Sequence, residues 1–392
     1  MTLLVQKFLR LGKTLKDLEI EHGVFSHVQN GKINLNYGMI EAKDSDPLSS
    51  QCRGLILDEK TFDVIACPLF RFFNHGQGSV PEDFDWNSAV AESKLDGSML
   101  NTYWHNDCWF VGTRGRPEAD GNIDNGDLTF AILTNTVIQK QFGLPNLNEF
   151  MNYYFSQEAQ EHTFVFELTS PINRIVCKYN DFKLTLLAVR NIKTLKEDDP
   201  KNWLSVGQDL LEIPIPKTYD FKNINHLLDI VNNWSPEEHE GVVLKDKNFN
   251  RIKVKNISYV AYNKLRDSLS SSFRGCVEII LTGKDDDVIA MVPDFIADRI
   301  RKIKPLIKEV LKRTQDDFEK LNHIENMKEY ALEAQKCLWP AALFALKRNK
   351  TPDLMTYAMG NERDTGKNKI PSCATDTLLE LCRKIDPEFD KI

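Results

Sequence analysis

Ala91-Glu92-Ser93-Lys94-Leu95-Asp96-Gly97-Ser98 is the stretch on which the reading of this chain turns. Val90 precedes it and Met99-Leu100-Asn101-Thr102-Tyr103-Trp104 follows, both of strand type by their β-branched and aromatic content, with Asp96-Gly97 supplying a tight turn between them. The lysine therefore sits at a strand end. Its amine, with an ordinary pKa of roughly 10.4, is protonated and inert near neutrality unless it is buried or set beside other cations. Two readings of Lys94 stand side by side: a solvated surface charge, or a nucleophile whose setting the rest of the chain supplies.

The chain has 392 residues, 42% of them hydrophobic, which is enough for two domains or for one large domain with an appendage. A net charge of −7 gives no global pull toward nucleic acid, so a polyanion site has to be a local basic cleft in an acidic body. Eight cysteines stand at 52, 67, 108, 177, 276, 337, 373 and 382, with no Cys-x-x-Cys pair and no zinc-like spacing, and reduced thiols are expected. Lys7, Arg10 and Lys13 interrupt any signal-peptide core in Met1–Leu15, and no run of about 18 apolar residues occurs. The composition predicts a soluble, cytoplasmic protein with no membrane contact.

Working outward, Val24–Val28 and Ile33–Tyr37 flank Asn30-Gly31 and read as a hairpin, followed by a strand pair at Arg53–Leu57 and Asp63–Ala66. Arg71-Phe72-Phe73-Asn74 is either a basic-aromatic binding stretch or two core phenylalanines beside a surface arginine. Trp109–Thr113 reads as the hairpin partner of the lysine strand and delivers Arg114-Gly115-Arg116 to the strand end, where an anion site and a plain surface turn are equally good readings. Helices are predicted over 127–142 and 146–156. Thr163–Leu168 is a strand carrying Glu167 near its middle, an expensive position unless the carboxylate lies at the sheet surface or enters a cleft. Ser170–Val176 is expected to be a loop and another strand, and Leu184–Val189 a buried strand.

Residues 191–236 read as a polar elaboration with a helix at 222–233. Glu240–Lys245 is again an acid entering an apolar strand, and its partner Arg251–Lys255 alternates Lys253 and Lys255 on one face with Ile252 and Val254 on the other. An exposed edge strand with charged gatekeepers is the bland alternative. Beyond Asn256 the pattern turns helical. Ile300, Ile303, Ile307 and Val310 keep helical spacing amid Arg299, Arg301, Lys302 and Lys304, with Pro305 expected to start, kink or divide the helix. That basic stretch is a solvated face or a groove for RNA. Residues 315–348 and 375–384 also read as helices.

In chain order, Arg53-Gly54, Lys94-Leu95-Asp96-Gly97, Phe166-Glu167, Glu240-Gly241-Val242-Val243 and Lys253-Val254-Lys255 each fall at a strand or its end. Over residues 20–260 this series resembles the motifs of the covalent nucleotidyltransferases: DNA ligases, RNA ligases and mRNA capping enzymes. With Cys52-Arg53-Gly54-Leu55-Ile56, Pro68–Asn74 and Ser170–Val176 added, it is similar above all to the phage RNA ligase 1 family. The resemblance implies an α+β adenylation domain over 1–256, with antiparallel sheets and flanking helices, then an all-α domain over 257–392. It implies an ATP-dependent RNA ligase, with magnesium or manganese, in which Lys94 forms lysyl-AMP. AMP then passes to an RNA 5′-phosphate, which a 3′-hydroxyl attacks.

Lys253 and Lys255, with Arg53 nearby, would lower the Lys94 pKa and steady phosphate charge. Arg53, Arg71, Glu92, Arg114, Glu167 and Glu240 would contact the nucleotide, with Glu240 as metal ligand and Asp96 as the second choice. Arg71 and Arg114 stand where the family pattern leads one to expect lysine. The expected partner is RNA, nicked tRNA included, bound by a monomer, with Arg299, Arg301, Lys302 and Lys304 as further RNA contacts. A DNA ligase, a capping guanylyltransferase or an inactive nucleic-acid-binding relative are the alternatives.

Overall fold

The structure is a computed structural model that describes residues 2–77, 80–123, 127–204, 212–270, 273–281, 283, 285–289, 292, 294–348, 354–359 and 372–389. The chain folds as two compact units, Met1–Val260 and Ala261–Ile392. The first is α+β with three sheets; the second is all helix among the described residues.

Turn chemistry sets the first sheet. Asn30 and Gly31 take φ values of 50° and 74°, the pair of left-handed positions a type I′ turn needs, and so register Val24–Gln29 against Lys32–Tyr37. Arg53–Asp58 and Val64–Ala66 complete four antiparallel strands. A second, fully antiparallel sheet runs in the order Glu197–Asp198, Lys183–Asn191, His162–Thr169, Ser98–His105, Cys108–Thr113. Its buried Leu100, Phe164 and Phe166 pack against the helices Phe130–Phe142 and Leu147–Tyr154, each buried large side chain contributing about 1.5–3 kcal/mol. The first of these helices begins at Phe130 rather than 127 because the Thr129 hydroxyl caps it, accepting from the Ile132 amide.

The third sheet carries Lys94. Its order is Thr218–Tyr219, Val90–Lys94, Gly241–Lys245, Arg251–Lys255, Phe73–Asn74. The last pair is parallel, a departure from the antiparallel arrangement expected, and it makes the Lys-x-Lys strand internal rather than an exposed edge. Ile252 and Val254 face a buried core shared with the helix Ile224–Asn232.

Three expectations change. Trp109–Thr113 pairs with Ser98–His105 and not with the strand that ends at Lys94, because the chain changes sheets at Leu95-Asp96-Gly97. Ile175-Val176 is not a strand: the Val176 and Cys177 amides donate to Asp96 Oδ2 at 2.8 and 2.7 Å and cannot serve a ladder. Residues 315–348 fall in three helices, the first ending at Leu321 and the others spanning Met327–Ala334 and Pro340–Lys347. Pro305 lies inside the helix Asp294–Leu321, whose Ile300, Ile303, Ile307 and Val310 are buried. Of the polar elaboration, residues 205–211 lie outside the described residues. The seven cysteines whose side chains are described are free thiols, and no described helix is long and apolar enough to cross a membrane.

The switch between sheets is a tight passage. A Cβ at Gly97 would stand 2.3 Å from the Leu168 carbonyl oxygen of the neighbouring strand, so only glycine lets the chain enter the second sheet this close to that strand. Gly97→Ala is expected to lower unfolding stability by about 2–4 kcal/mol. Urea denaturation checks this, and an unchanged midpoint would mean that the junction is looser than this distance implies.

Candidate active site

Strand register gathers the charged groups. Gly241 lies opposite both Lys94 and Lys255 on its two neighbouring strands, and Glu240 enters just before it. The Lys94 Nζ donates to Glu240 Oε2 at 2.7 Å, and the Lys255 Nζ stands 2.8 Å from Oε1. Glu240 is only 3% exposed, so a buried carboxylate is bracketed by two ammonium groups. A Cβ at Gly241, where φ is 145°, would meet the Val254 carbonyl oxygen at 2.2 Å. The glycine after the acid is thus what allows Glu240 to sit this close to the Lys-x-Lys strand.

Glu167 comes from the second sheet and accepts the Gly97 amide at 3.1 Å. Burial pushes its carboxyl up to about 7, with Glu240 adding to the rise, while Lys94 and Arg53 oppose it. Across the pocket, the Phe72 ring receives two cations, the Lys253 Nζ at 4.6 Å and the Arg53 guanidinium at 5.2 Å. The Arg53 Nη1 is buried without a hydrogen-bond partner. Glu92 pairs with Lys245 at 2.5 Å. Arg53, Phe72, Glu92, Lys94, Glu167 and Lys253 line one pocket of about 60 Å³, well under the roughly 300 Å³ of a small-molecule site. A small molecule could enter here only with movement of the lining side chains.

The electrostatics reverse one expectation. Burial alone would lower the Lys94 amine, but Glu240, Glu167 and Asp96 outweigh it and hold Lys94 above the ordinary lysine value. The depressed lysine is Lys253, driven to about 6 by burial and then by the charges of Arg53, Lys94 and Lys255. Glu240 is held below the usual carboxylate range: burial works against it, but Lys94 and Lys255 prevail.

Asp96, the second-choice metal ligand, is instead an anchor. Oδ2 takes the Val176 and Cys177 amides, Oδ1 takes the Tyr259 hydroxyl at 2.5 Å, and the Asp96 amide donates to the Tyr179 hydroxyl at 3.0 Å. Both its oxygens are occupied by protein. Among the described residues no group of three or more His, Cys, Asp or Glu side chains could hold a metal ion.

Arg71 and Arg114 gather elsewhere, each with its guanidinium 4.4 Å from the Tyr37 ring centroid. Arg71 pairs with Asp44 at 2.5 Å, and Arg114 donates to Asn36 Oδ1 at 2.7 Å and to the Tyr37 carbonyl at 3.1 Å. Neither lines the Lys94 pocket. Arg299, Arg301, Lys302 and Lys304 belong to the second unit: Arg299 lies over Phe273, Arg301 pairs with Asp298, Lys304 pairs with Asp285, and Lys302 is exposed. Sequence reasoning missed Lys245, Tyr37 and Tyr259. Lys245 had a signal, since period-2 alternation sets it on the same face as Val243 of a strand already identified; the two tyrosines had none.

The RNA ligase family model RNA_lig_T4_1 matches residues 51–259, more than half of the chain. The chain is 28% identical over 279 residues to a protein of Autographa californica nuclear polyhedrosis virus named "Putative bifunctional polynucleotide kinase/RNA ligase"; the match covers 68% of this chain and spans only 38% of that protein's length. It is 19% identical over 323 residues to an RNA ligase of Rhodothermus phage RM378, covering 68% of this chain and 71% of the relative. Among solved structures, an archaeal ATP-dependent RNA ligase aligns at 16% identity and a TM-score of 0.43, covering 69% of this chain and 68% of the other. With its motif-bearing unit matched from just before Arg53 to Tyr259, the chain belongs to the RNA ligase family.

Proposed function

We propose that this protein is an ATP-dependent RNA ligase that joins 5′-phosphate and 3′-hydroxyl ends, with Lys94 as the nucleophile. The observation that carries the reading is the Lys94 amine held 2.7 Å from a buried glutamate, in a pocket rimmed by Arg53 and Lys253. In the first step the Nζ lone pair forms a bond to the α-phosphorus of ATP, the bond to the β-phosphate oxygen breaks, and pyrophosphate leaves. The Nζ proton must go first, to water. Glu240 holds the amine within hydrogen-bond reach, but because the pair favours ammonium and carboxylate, it positions Lys94 rather than serving as a ready base. AMP then moves from Lys94 to the RNA 5′-phosphate, and a 3′-hydroxyl displaces it to close the phosphodiester.

The residue types suit these steps. Arg53, with an unpaired buried Nη1, and Lys253 offer charge to phosphate oxygens developing negative charge. A divalent ion would enter as part of the ATP complex, held by phosphate oxygens and water. Glu240, whose two oxygens carry the Lys94 and Lys255 ammonium groups, could give it a carboxylate only once one of those lysines has withdrawn. Such an ion neutralises phosphate charge. Glu167, in the lining of the same pocket, would accept a hydrogen bond from a ribose hydroxyl.

Incubation with α-labelled ATP or GTP and magnesium, followed by denaturing electrophoresis, tests the assignment. The expected result is label from ATP only, absent from Lys94→Ala and reduced at least about a hundredfold in Glu240→Gln, in line with loss of the carboxylate that positions the amine. Label from GTP would turn the reading toward a capping guanylyltransferase. No label from either, in protein first stripped of AMP with pyrophosphate, would overturn it.

Lys253 gives a second, pH-dependent test. Its folded value near 6 lies far below its ordinary 10.5, so between these limits it is neutral when folded and charged when unfolded. It therefore lowers stability across that window, and its contribution becomes more favourable as pH rises through it. Replacing it by methionine at pH 7.5 is expected to raise unfolding stability by about 1–2 kcal/mol while impairing adenylylation. A polyphosphate bound beside Lys253 raises its pKa and that of Glu167, so nucleotide binding at pH 7.5 is expected to take up about one to two protons, about one fewer in Lys253→Met. Calorimetry in buffers of different ionisation enthalpy reads this directly, and zero uptake would remove Lys253 from the phosphate site.

A further inference from the structure

A second cleft, of about 690 Å³, runs off the Lys94 pocket and shares Leu69, Phe72 and Arg251 with it. Nothing in the chemistry of Lys94 uses it. One wall is the Phe70–Phe73 segment; the opposite wall is the 247–250 turn of the hairpin Gly241–Lys245 and Arg251–Lys255. Its charged lining is cationic, with Arg71, Arg190, Lys196, Lys247 and Arg251 against Glu197 alone. Glu197 is spoken for by Arg251 and Arg190. Lys196 is exposed, and the Lys247 ammonium, 67% exposed, is paired with Asp85 at 2.9 Å, an interaction of the solvated kind that a phosphate can replace.

The hairpin turn is built with some cost. Phe249 has φ of 63°, an outlying conformation for a bulky side chain. The buried Asp246 imposes it: Oδ1 accepts the Asn248 and Asn250 amides, both at 2.9 Å, and Oδ2 accepts the Asp85 amide at 3.0 Å and the Asn250 side chain at 3.1 Å. Arg251 Nη1 donates to the Phe249 carbonyl at 3.1 Å. The backbone that carries Phe249 is thus fixed in the wall of a cationic cleft, and the facing wall carries Phe70, Phe72 and Phe73, whose rings lie under Arg190, under Arg53 and Lys253, and under Arg71.

Rings interleaved with cations are the chemistry that holds unpaired nucleotides, because every base has a face to stack and every phosphate a charge to match. Resting on the RNA ligase reading, we propose that this cleft holds the single-stranded end of the 5′-phosphorylated RNA, with a base against Phe249 and phosphates on Lys196 and Lys247. The cleft's continuity with the Lys94 pocket then leads the 5′-phosphate to the lysyl-AMP.

Phe249→Gly and Lys196→Glu test this. Glycine accepts a φ of 63° without strain, so the first variant removes the ring while favouring the turn, and the second reverses an exposed charge. Binding of a fluorescent 5′-phosphorylated RNA oligomer is read by anisotropy in the Lys94→Ala background, which reports on the cleft even if no lysyl-AMP forms. In the otherwise unaltered protein, lysyl-AMP formation is measured against ATP concentration and AMP transfer against RNA concentration. The expected result is about tenfold weaker RNA binding for Phe249→Gly. For Lys196→Glu, weaker binding with a shallower salt dependence is expected. In both, the KM for RNA rises in AMP transfer while lysyl-AMP formation is unchanged. RNA affinity within about twofold of the parent in both variants would overturn the proposal. So would a raised KM for ATP, which would assign the cleft to the nucleotide. Failure of the parent protein to form lysyl-AMP would instead sink the ligase reading, and the anisotropy would still decide the cleft.

Discussion

A carboxylate taken out of water costs several kcal/mol unless cations follow it, and Glu240, at 3% exposure, is taken almost completely out. Lys94 and Lys255 are those cations, one on each oxygen. The three residues come from three adjacent strands in register, so the sheet cannot slip without separating charges that need one another. Truncating one member leaves the others buried and unmatched, which is why the pair of lysines and the acid behave as one unit rather than as three side chains.

The position of Lys94 depends on a second, separate anchor. Lys94 is the last residue of its strand, and within three residues the chain has crossed into another sheet. A free strand end would fray. Asp96 prevents this by binding two amides of the 176–177 loop and the hydroxyl of Tyr259, and Gly97 brings the crossing close enough for its amide to reach Glu167. The acid and glycine after the lysine are therefore needed by the backbone, independently of any contact with phosphate. Tyr259 also ties the first turn of the helix Ile257–Ser270 to Asp96.

Most strands were legible because their signals are local: Asn30-Gly31 for the hairpin, alternation for Arg251–Lys255, a buried apolar run for Leu184–Val189. The failures were non-local. Ile175-Val176 has strand composition, yet an aspartate about 80 residues earlier takes its amides. Phe73-Asn74 joins the Lys-x-Lys strand in parallel across nearly 180 residues, a pairing no short window contains. The charged residues near Lys94 could be nominated from sequence, but the sign of their effect on Lys94 could not. That sign turns on which lysine Glu240 touches, and a structure is needed to see that it touches Lys94 and Lys255 and leaves Lys253 without a direct partner carboxylate.

That division of contacts explains the rest of the pocket's electrostatics. Glu240 neutralises two lysines, and what remains is a half-buried Lys253 beside Arg53, sharing the face of Phe72. Two cations on one ring cannot both be charged cheaply in a desolvated pocket, and Arg53, with the more basic group, keeps its proton while Lys253 falls to about 6. Glu167 is displaced the opposite way, to about 7, by the same desolvation. Both groups sit nearer their neutral forms, each within about one pH unit of neutrality, where a modest field tips them. A polyanion is such a field: it restores the charge on Lys253 and favours the protonated form of Glu167, turning an acceptor into a donor. Under the proposed function, the complementarity to phosphate is only partly present in the free protein, and the ligand's own charge would complete it.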